Sequence, residues 1–377
     1  MRHLIRLSAV IAAMATALLA APAVLANADE GEGGHHAVFV QTNDPAGNSI
    51  AAYARNGNGT LTYVATYATG GNGGRAAGAA VDPLASQRSL VYDGVHHLLL
   101  APNAGSNTVS VFSVSGSRLH LRQIVGSGGP FPASIAVRGD LAFVLDAGLA
   151  GYVQGYRIAG GRLHPIAGSQ RSLGLANTNP PAFLQSPAEV GFTPNGRDLV
   201  ITMKGNNHGS VDVFGVSDEG QLSIAPTATS VGGNAFAFVF DPEGHLVIVN
   251  AAFGNLSTYT VNGDGSLSLV SAGASDGQVA ACWVTEADGN YYAANAGSAS
   301  LSQYTIDEDG AVTLEKSPAA TGIPGAVDMA ASGHFLYAQS GGSGSVKAFS
   351  VSEDGSLTPI GSWTVPDGGS QEGIAAS

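Results

Sequence analysis

The stretch Thr258-Tyr259-Thr260-Val261-Asn262-Gly263-Asp264-Gly265-Ser266-Leu267 decides the fold. It opens as a β-type run with an aromatic near its end. A polar turn follows, in which Gly265 supplies the positive φ that a tight reversal needs, and Leu267 begins the return strand. The same hairpin signature occurs seven times along the chain. Its aromatic is Tyr53, Phe112, Tyr156, Phe214, Tyr259, Tyr304 and Phe349 in turn. Seven or eight residues later stands Leu61, Leu119, Leu163, Leu222, Leu267, Val312 or Leu357. The intervals between aromatics are 59, 44, 58, 45, 45 and 45 residues, so the period is near 45. The two long intervals carry extra residues near 70–88 and 171–186, which the pattern assigns to surface loops between repeats.

Each repeat reads as four strands, in the sixth near 279–285, 290–294, 300–306 and 312–316. Helical periodicity is absent, and Gly-rich segments such as 74–80 are poor helices. The run Thr108-Val109-Ser110-Val111-Phe112-Ser113-Val114 puts apolar groups on both faces, so it must be covered on both sides. A radial stack of small sheets does this, and four strands at this period mean propeller blades. A solenoid would show capping ends, and none is visible. The first repeat, from about His36, starts with a second-type strand, Ala37-Val38-Phe39-Val40, and lacks an innermost one. Gly373-Ile374-Ala375-Ala376 resembles the missing strand. The expected fold is therefore all-β: a seven-bladed β-propeller of four-stranded antiparallel blades, with blade one closed by both termini.

Composition narrows the function. Charged residues are only 11% of the 377, with 28 acids against 15 bases and a net charge of −13. Such a surface repels phosphate backbones, which argues against nucleic acid as a partner. The 44% hydrophobic content excludes a disordered chain. Arg2 and Arg6 precede an apolar run, and Ala26-Asn27-Ala28 then offers a small-x-small cleavage pattern. Residues 1–28 read as a signal peptide and 29–377 as one propeller domain. That predicts a secreted protein, extracellular or periplasmic, with no membrane span after cleavage, and a monomer. The lone thiol, Cys282, lies in the apolar run Val279-Ala280-Ala281-Cys282-Trp283-Val284 and reads as a buried hydrophobe.

The segments Asn103-Ala104-Gly105-Ser106-Asn107-Thr108-Val109-Ser110-Val111-Phe112, Val190-Gly191-Phe192-Thr193-Pro194-Asn195-Gly196-Arg197 and Asn295-Ala296-Gly297-Ser298 carry a resemblance. They are similar to the seven-bladed lactonase-like propellers, which include propeller-type 6-phosphogluconolactonases and carboxymuconate cyclases. The exported actinobacterial branch is the nearest in character. The resemblance implies activity on a lactone or a related small polar molecule, with His, Arg and Glu at the starts of inner strands around the channel mouth. Most of the matching motifs build blades, so they speak for fold more than chemistry. The chain also departs from the pattern. Blades three, five and seven begin Pro132-Ala133-Ser134-Ile135, Asn234-Ala235-Phe236-Ala237 and Pro324-Gly325-Ala326-Val327, and blade two reads Ser89-Leu90-Val91-Tyr92-Asp93 without a leading His. Only Pro187-Ala188-Glu189-Val190 and Gln371-Glu372-Gly373-Ile374 offer a carboxylate, and no cationic clamp is visible. A phosphorylated sugar acid is disfavoured on both counts.

The expected catalytic residues are Glu189 as general base, with Lys204 and His208 beside it as electrophile and second base. Asn207, Gln278, Glu372, Asp146 and Asn103 are the expected ligand-binding residues of an amide-rich rim. The second insertion, 171–186, with Phe183 and Leu184 at its tip, is expected to be a lid over Glu189. No metal or cofactor is assigned. Asp307-Glu308-Asp309-Gly310 lacks the distal Glu of a calcium loop, and no Gly-x-Ser-x-Gly elbow occurs. The competing possibility is a non-catalytic extracellular binding propeller that kept the scaffold and lost the active site.

Overall fold

A computed structural model describes residues 36–205 and 209–377. They form seven antiparallel sheets in chain order, a seven-bladed β-propeller. Blade four is representative, running outward through Pro187–Phe192, Asp198–Met203, Ser210–Gly215 and Thr227–Ser230. In blade three the outermost strand is broken into Arg162–Pro165 and Arg171–Ser172, both paired with Tyr152–Ala159. The inner and second strands are buried on both faces, as their continuous apolar runs require.

The repeated aromatic lies on the third strand of every blade and is at most 8% exposed. Where it is Tyr, its hydroxyl can also join blades. Tyr53 donates to Thr364 O of blade seven, and Tyr156 donates to Gly126 O of blade two. A buried ring at this place explains why the position is aromatic in all seven repeats, and in Tyr53 and Tyr156 the hydroxyl adds a tie to the next blade.

Blade one closes as the sequence indicates. Ile374–Ala376 pairs antiparallel with Ala37–Gln41, in the register Val38↔Ala376, Phe39↔Ala375 and Val40↔Ile374. Gln41 N donates to Gly373 O, Glu372 N to Gln41 O and Ser377 N to Ala37 O, extending the ladder at both ends. The clasp leaves no unpaired inner edge where the first and last blades meet.

The inner strands share a second feature that the repeat pattern does not reveal. Their pairing with the second strand skips a residue at the same place in five blades, between Pro132 and Ser134, Pro187 and Glu189, Ala235 and Phe238, Ala281 and Trp283, and Val327 and Met329. A bulge there re-aims the skipped side chain. It is apolar in four blades, Cys282 among them, and acidic in blade seven, where it is Asp328.

The first insertion is not the surface loop expected from sequence. Leu84, Ala85 and Ser86 have no exposed surface, and Gln87 is 5% exposed. This segment enters the axis of the propeller and bonds around it. Ser86 Oγ donates to Ala133 O of blade three, Gln87 N to Ala188 O of blade four and Gln87 Nε2 to Phe238 O of blade five. Blade six answers with Trp283 Nε1 donating to Ser86 O and Val284 N to Gln87 Oε1. The inner strands converge on their axis with polar edges, and the segment satisfies them where water otherwise would.

Removing residues 373–377 tests the clasp. The truncated protein loses the ladder bonds and the burial of Ile374 and Ala375, so its unfolding free energy falls by about 3 kcal/mol or more. Chemical denaturation measures this; a loss below about 1 kcal/mol would show that blade one closes without the last strand.

Candidate functional site

The axial segment closes one end of the channel and leaves the other open. At the closed end the carboxyls of Asp82 and Glu372 hydrogen-bond to each other, both fully buried. Glu372 also accepts from Leu84 N and Ser86 N, and Asp82 from Ala85 N. Burial pushes both above the usual carboxylate range, and the contact lets the pair hold one proton between them. Lys204 lies beside them without exposed surface. Its Nζ donates to Ala85 O, Ser186 Oγ (2.9 Å) and Pro187 O (3.2 Å), and stands 4.9 Å from the ring centroid of Phe236. Burial pulls its pKa down to about 8 against the field of Asp82. Lys204 and Glu372 thus hold the axial segment in place. Each feels the other's charge through the plug they both bond, in a closed core and not at a channel mouth.

The second insertion lies at this same end. Ala77 N donates to Pro181 O and Phe183 N to Ala77 O, so the two insertions are stitched together. Phe183 packs on the Lys204 ammonium, 5.3 Å from Nζ. The expected lid is therefore a fixed layer over the plug, because the axis beneath it is already filled. It does not cover the open cavity.

That cavity, about 640 Å3, lies at the opposite end, where the inner strands finish. Gln87, Arg88, Asp328, Thr285 and Glu286 line it, with Arg138 and Phe192 at one side. Arg88 ends the axial segment in a left-handed conformation, φ 60°. Its Nε lies 2.8 Å from Glu189 Oε1, with the Arg88 side chain 44% exposed and Glu189 fully buried. The other oxygen of Glu189 accepts from Phe238 N at 2.7 Å. Burial pushes the Glu189 pKa up to about 8, with Arg88 pulling the other way. Asp328, the acid at the blade-seven bulge, accepts from Met329 N at 2.9 Å and from Ile374 N at 3.3 Å. Burial raises it to about 7, although both amides and the charge of Arg88 lower it.

The cavity thus presents a half-exposed guanidinium with its back held by a buried carboxylate, next to a carboxyl that titrates near neutrality. Such a pair can take a proton from water and stabilise a developing oxyanion. The described residues contain no cluster of His, Cys, Asp and Glu suited to a metal ion.

The other expected residues are placed elsewhere. Asn103 is spent inside blade two, accepting from Asn48 and donating to Thr108 and Ser110. Gln278 bridges Ser300 and Ser317 in blade six. Asp146 is buried at the end of Leu141–Asp146, and burial raises it to about 7. Asn207 and His208 lie outside the described residues. Of the residues expected, Glu189 alone bears on the open cavity, and it does so through Arg88. Arg88, Gln87 and Asp328 were missed. Asp328 follows directly on the Pro324-Gly325-Ala326-Val327 start that was read as lacking a carboxylate, and Arg88 is a cation where none was seen. Aligning the seven repeats on the bulge column places Asp328 opposite Ala133, Ala188 and Cys282, which was the available signal.

The family model described as a seven-bladed β-propeller lactonase matches residues 149–284 and 265–370. Among solved structures, the periplasmic gluconolactonase of Pseudomonas aeruginosa is similar at a TM-score of 0.69 and 18% identity, covering 90% of this chain and 98% of that one. A candidate 6-phosphogluconolactonase from Bacteroides fragilis superposes at 0.69 with 14% identity, covering 93% and 99%. No curated protein sequence matches the chain.

Lys204→Met tests the closed end. It leaves four carbonyl or hydroxyl acceptors and two nearby acids without their cation, and should cost about 3–5 kcal/mol of stability by chemical denaturation. A loss under about 1 kcal/mol would mean that the ammonium does not hold the plug.

Proposed function

This chain belongs to the seven-bladed β-propeller lactonase family, and from that premise we propose that it is an exported hydrolase of small polar lactones, acting in the open channel cavity. One observation carries the reading: Arg88 and Asp328 line the same cavity, close enough for the charge of one to shift the titration of the other. Hydrolysis of a cyclic ester needs a base for the attacking water and a positive group for the carbonyl oxygen as it gains charge.

Asp328 takes a proton from water while the water oxygen bonds to the lactone carbonyl carbon. The carbonyl oxygen becomes an oxyanion against the Arg88 guanidinium. The tetrahedral intermediate collapses by breaking the ring C–O bond, and the leaving alkoxide takes the proton back from Asp328. The product is an open hydroxy acid. Glu189 is a positioning residue here rather than the base, because its carboxylate is turned to Arg88 and Phe238 N behind the cavity wall, whereas Asp328 lines the cavity itself. An uncharged polar ring suits the remaining wall, where the Thr285 hydroxyl, donating to Met329 O, can still accept a hydrogen bond, and Phe192 offers an apolar face.

Export rests on residues 1–28 and on the small-x-small pattern at Ala26-Asn27-Ala28. N-terminal sequencing of protein recovered outside the cytoplasm should read from Asp29; an intact Met1 there would reject cleavage.

The catalytic proposal is tested by pH-stat on a panel of sugar and aliphatic lactones. Asp328 must be ionised to act, and its pKa is raised to about 7, so kcat/KM rises with pH through about 7 to a plateau. Asp328→Asn lowers kcat about 10²–10⁴-fold and abolishes that limb. Glu189→Gln keeps the limb but lowers kcat less, since Arg88 loses its anchor. Wild-type turnover by Asp328→Asn would sink the assignment. Saturable lactone binding without turnover by the wild type would make the cavity a non-catalytic site.

A further inference from the structure

A second cavity, about 660 Å3, opens between blades three and four on the same face. It shares Arg138 and Phe192 with the channel cavity, so the two are neighbours along one groove. Its wall contains Arg138, Arg157 and Arg197. The whole chain has 12 Arg and three Lys against 28 acids, so three cations around one cavity are a marked concentration. Among the described residues none of the three is in a salt bridge, whereas Arg88 is.

Arg138 is also built into place. Its Nη1 donates to Thr193 O and to Pro194 O, both in the hairpin that links the first two strands of blade four. The guanidinium lies against Gly196, where a Cβ would collide with Arg138 Nε, and Gly196 has φ +73°. Glycine at this position thus serves the turn and makes room for a cation from the neighbouring blade. Arg197, the next residue, is held on the same hairpin, and Arg157 comes from the third strand of blade three.

We propose that this cavity binds the carboxylate of an acidic saccharide, with the sugar ring lying toward Phe192 and the channel. Guanidinium forks match a planar carboxylate in two parallel hydrogen bonds. The volume exceeds what a bare ion needs, and Asn195 and Ser217 add uncharged partners suited to hydroxyl groups. Two acids also line the wall, Asp140 and Asp218. Asp140 is engaged by His96 Nε2 at 3.1 Å. Their charge penalises a dianion more than a monoanion, which favours carboxylate over phosphate ester. The site requires no catalysis, so it stands or falls apart from the lactonase reading.

The test is calorimetric or NMR titration of the full-length mature protein with glucuronate, glucose and inorganic phosphate. Glucuronate should bind, more weakly as salt rises, and glucose should bind at least about tenfold less tightly. Arg157→Gln and Arg197→Gln should each weaken glucuronate about tenfold or more, with an unchanged melting temperature and unchanged turnover of neutral lactones. Glucuronate binding no tighter than glucose would overturn the proposal, as would full binding by the Arg157→Gln/Arg197→Gln double variant. Phosphate binding more tightly than glucuronate would overturn the assignment to a carboxylate.

Discussion

A buried ammonium that joins a plug carbonyl to the start of blade four, in the field of two buried acids, holds the centre of this propeller together. Seven inner strands meet at an axis, and whatever fills it must satisfy their polar edges without water. Segment 82–88 does so, and Lys204 ties it to blade four while Asp82 and Glu372 tie it to the clasp. Burial raises both carboxyls above their usual range, and the field of Asp82 works to keep Lys204 charged. An unpaired charge in this water-free core would cost several kcal/mol, so burial works against both carboxyls being ionised at once. The clasp and the plug are therefore one device. Glu372 precedes the closing strand by two residues and receives the amides of Leu84 and Ser86.

This arrangement fixes where chemistry can occur. One end of the channel is filled by main chain and covered by the second insertion, and the open channel cavity lies where the inner strands finish. Arg88 reaches that cavity because it is the last residue of the plug, and Glu189, the residue after blade four's bulge, holds it from a register position paired with Thr202. Asp328 reaches it as the skipped residue of blade seven's bulge. The cationic and acidic members of the site come from different devices, an inserted loop and a repeated irregularity. Each has a structural reason to be rigid, which suits a site that must hold its groups in place before a ligand arrives.

These origins explain what was legible in the sequence. The hairpin signature repeats because every blade needs a ring between sheets and a glycine in the turn, so strand number, blade number and closure could be read from Tyr53 to Phe349 and from Gly373-Ile374-Ala375-Ala376. The plug has no such repetition. Val81-Asp82-Pro83-Leu84-Ala85-Ser86 has the small and polar composition of a surface loop, and its burial depends on an axis that exists only once seven blades have closed. The bulge escapes detection for another reason: a strand read by alternation assigns Ala133, Ala188, Cys282 and Asp328 no special place. Lys204 was conspicuous for rarity, which proved true, but rarity in an acidic chain marked a structural tie and not an exposed electrophile.

The distribution of the arginines carries the last step. A chain with net charge −13 should repel anions, and a lactonase releases one each time it opens a ring. Yet Arg88, Arg138, Arg157 and Arg197 all line the two cavities on one face, and each is placed by backbone geometry: a positive φ, a hairpin carbonyl, a strand position or a turn. Low-dielectric walls concentrate the field of such groups, so the local potential at the groove can be positive while the surface as a whole is negative. The acids at its edge, Glu286, Asp140 and Asp218, limit how much negative charge the groove holds. A face built this way fits the proposed lactone hydrolysis, in which a neutral or singly charged ligand would enter and an anionic product would leave toward a surface that repels its return.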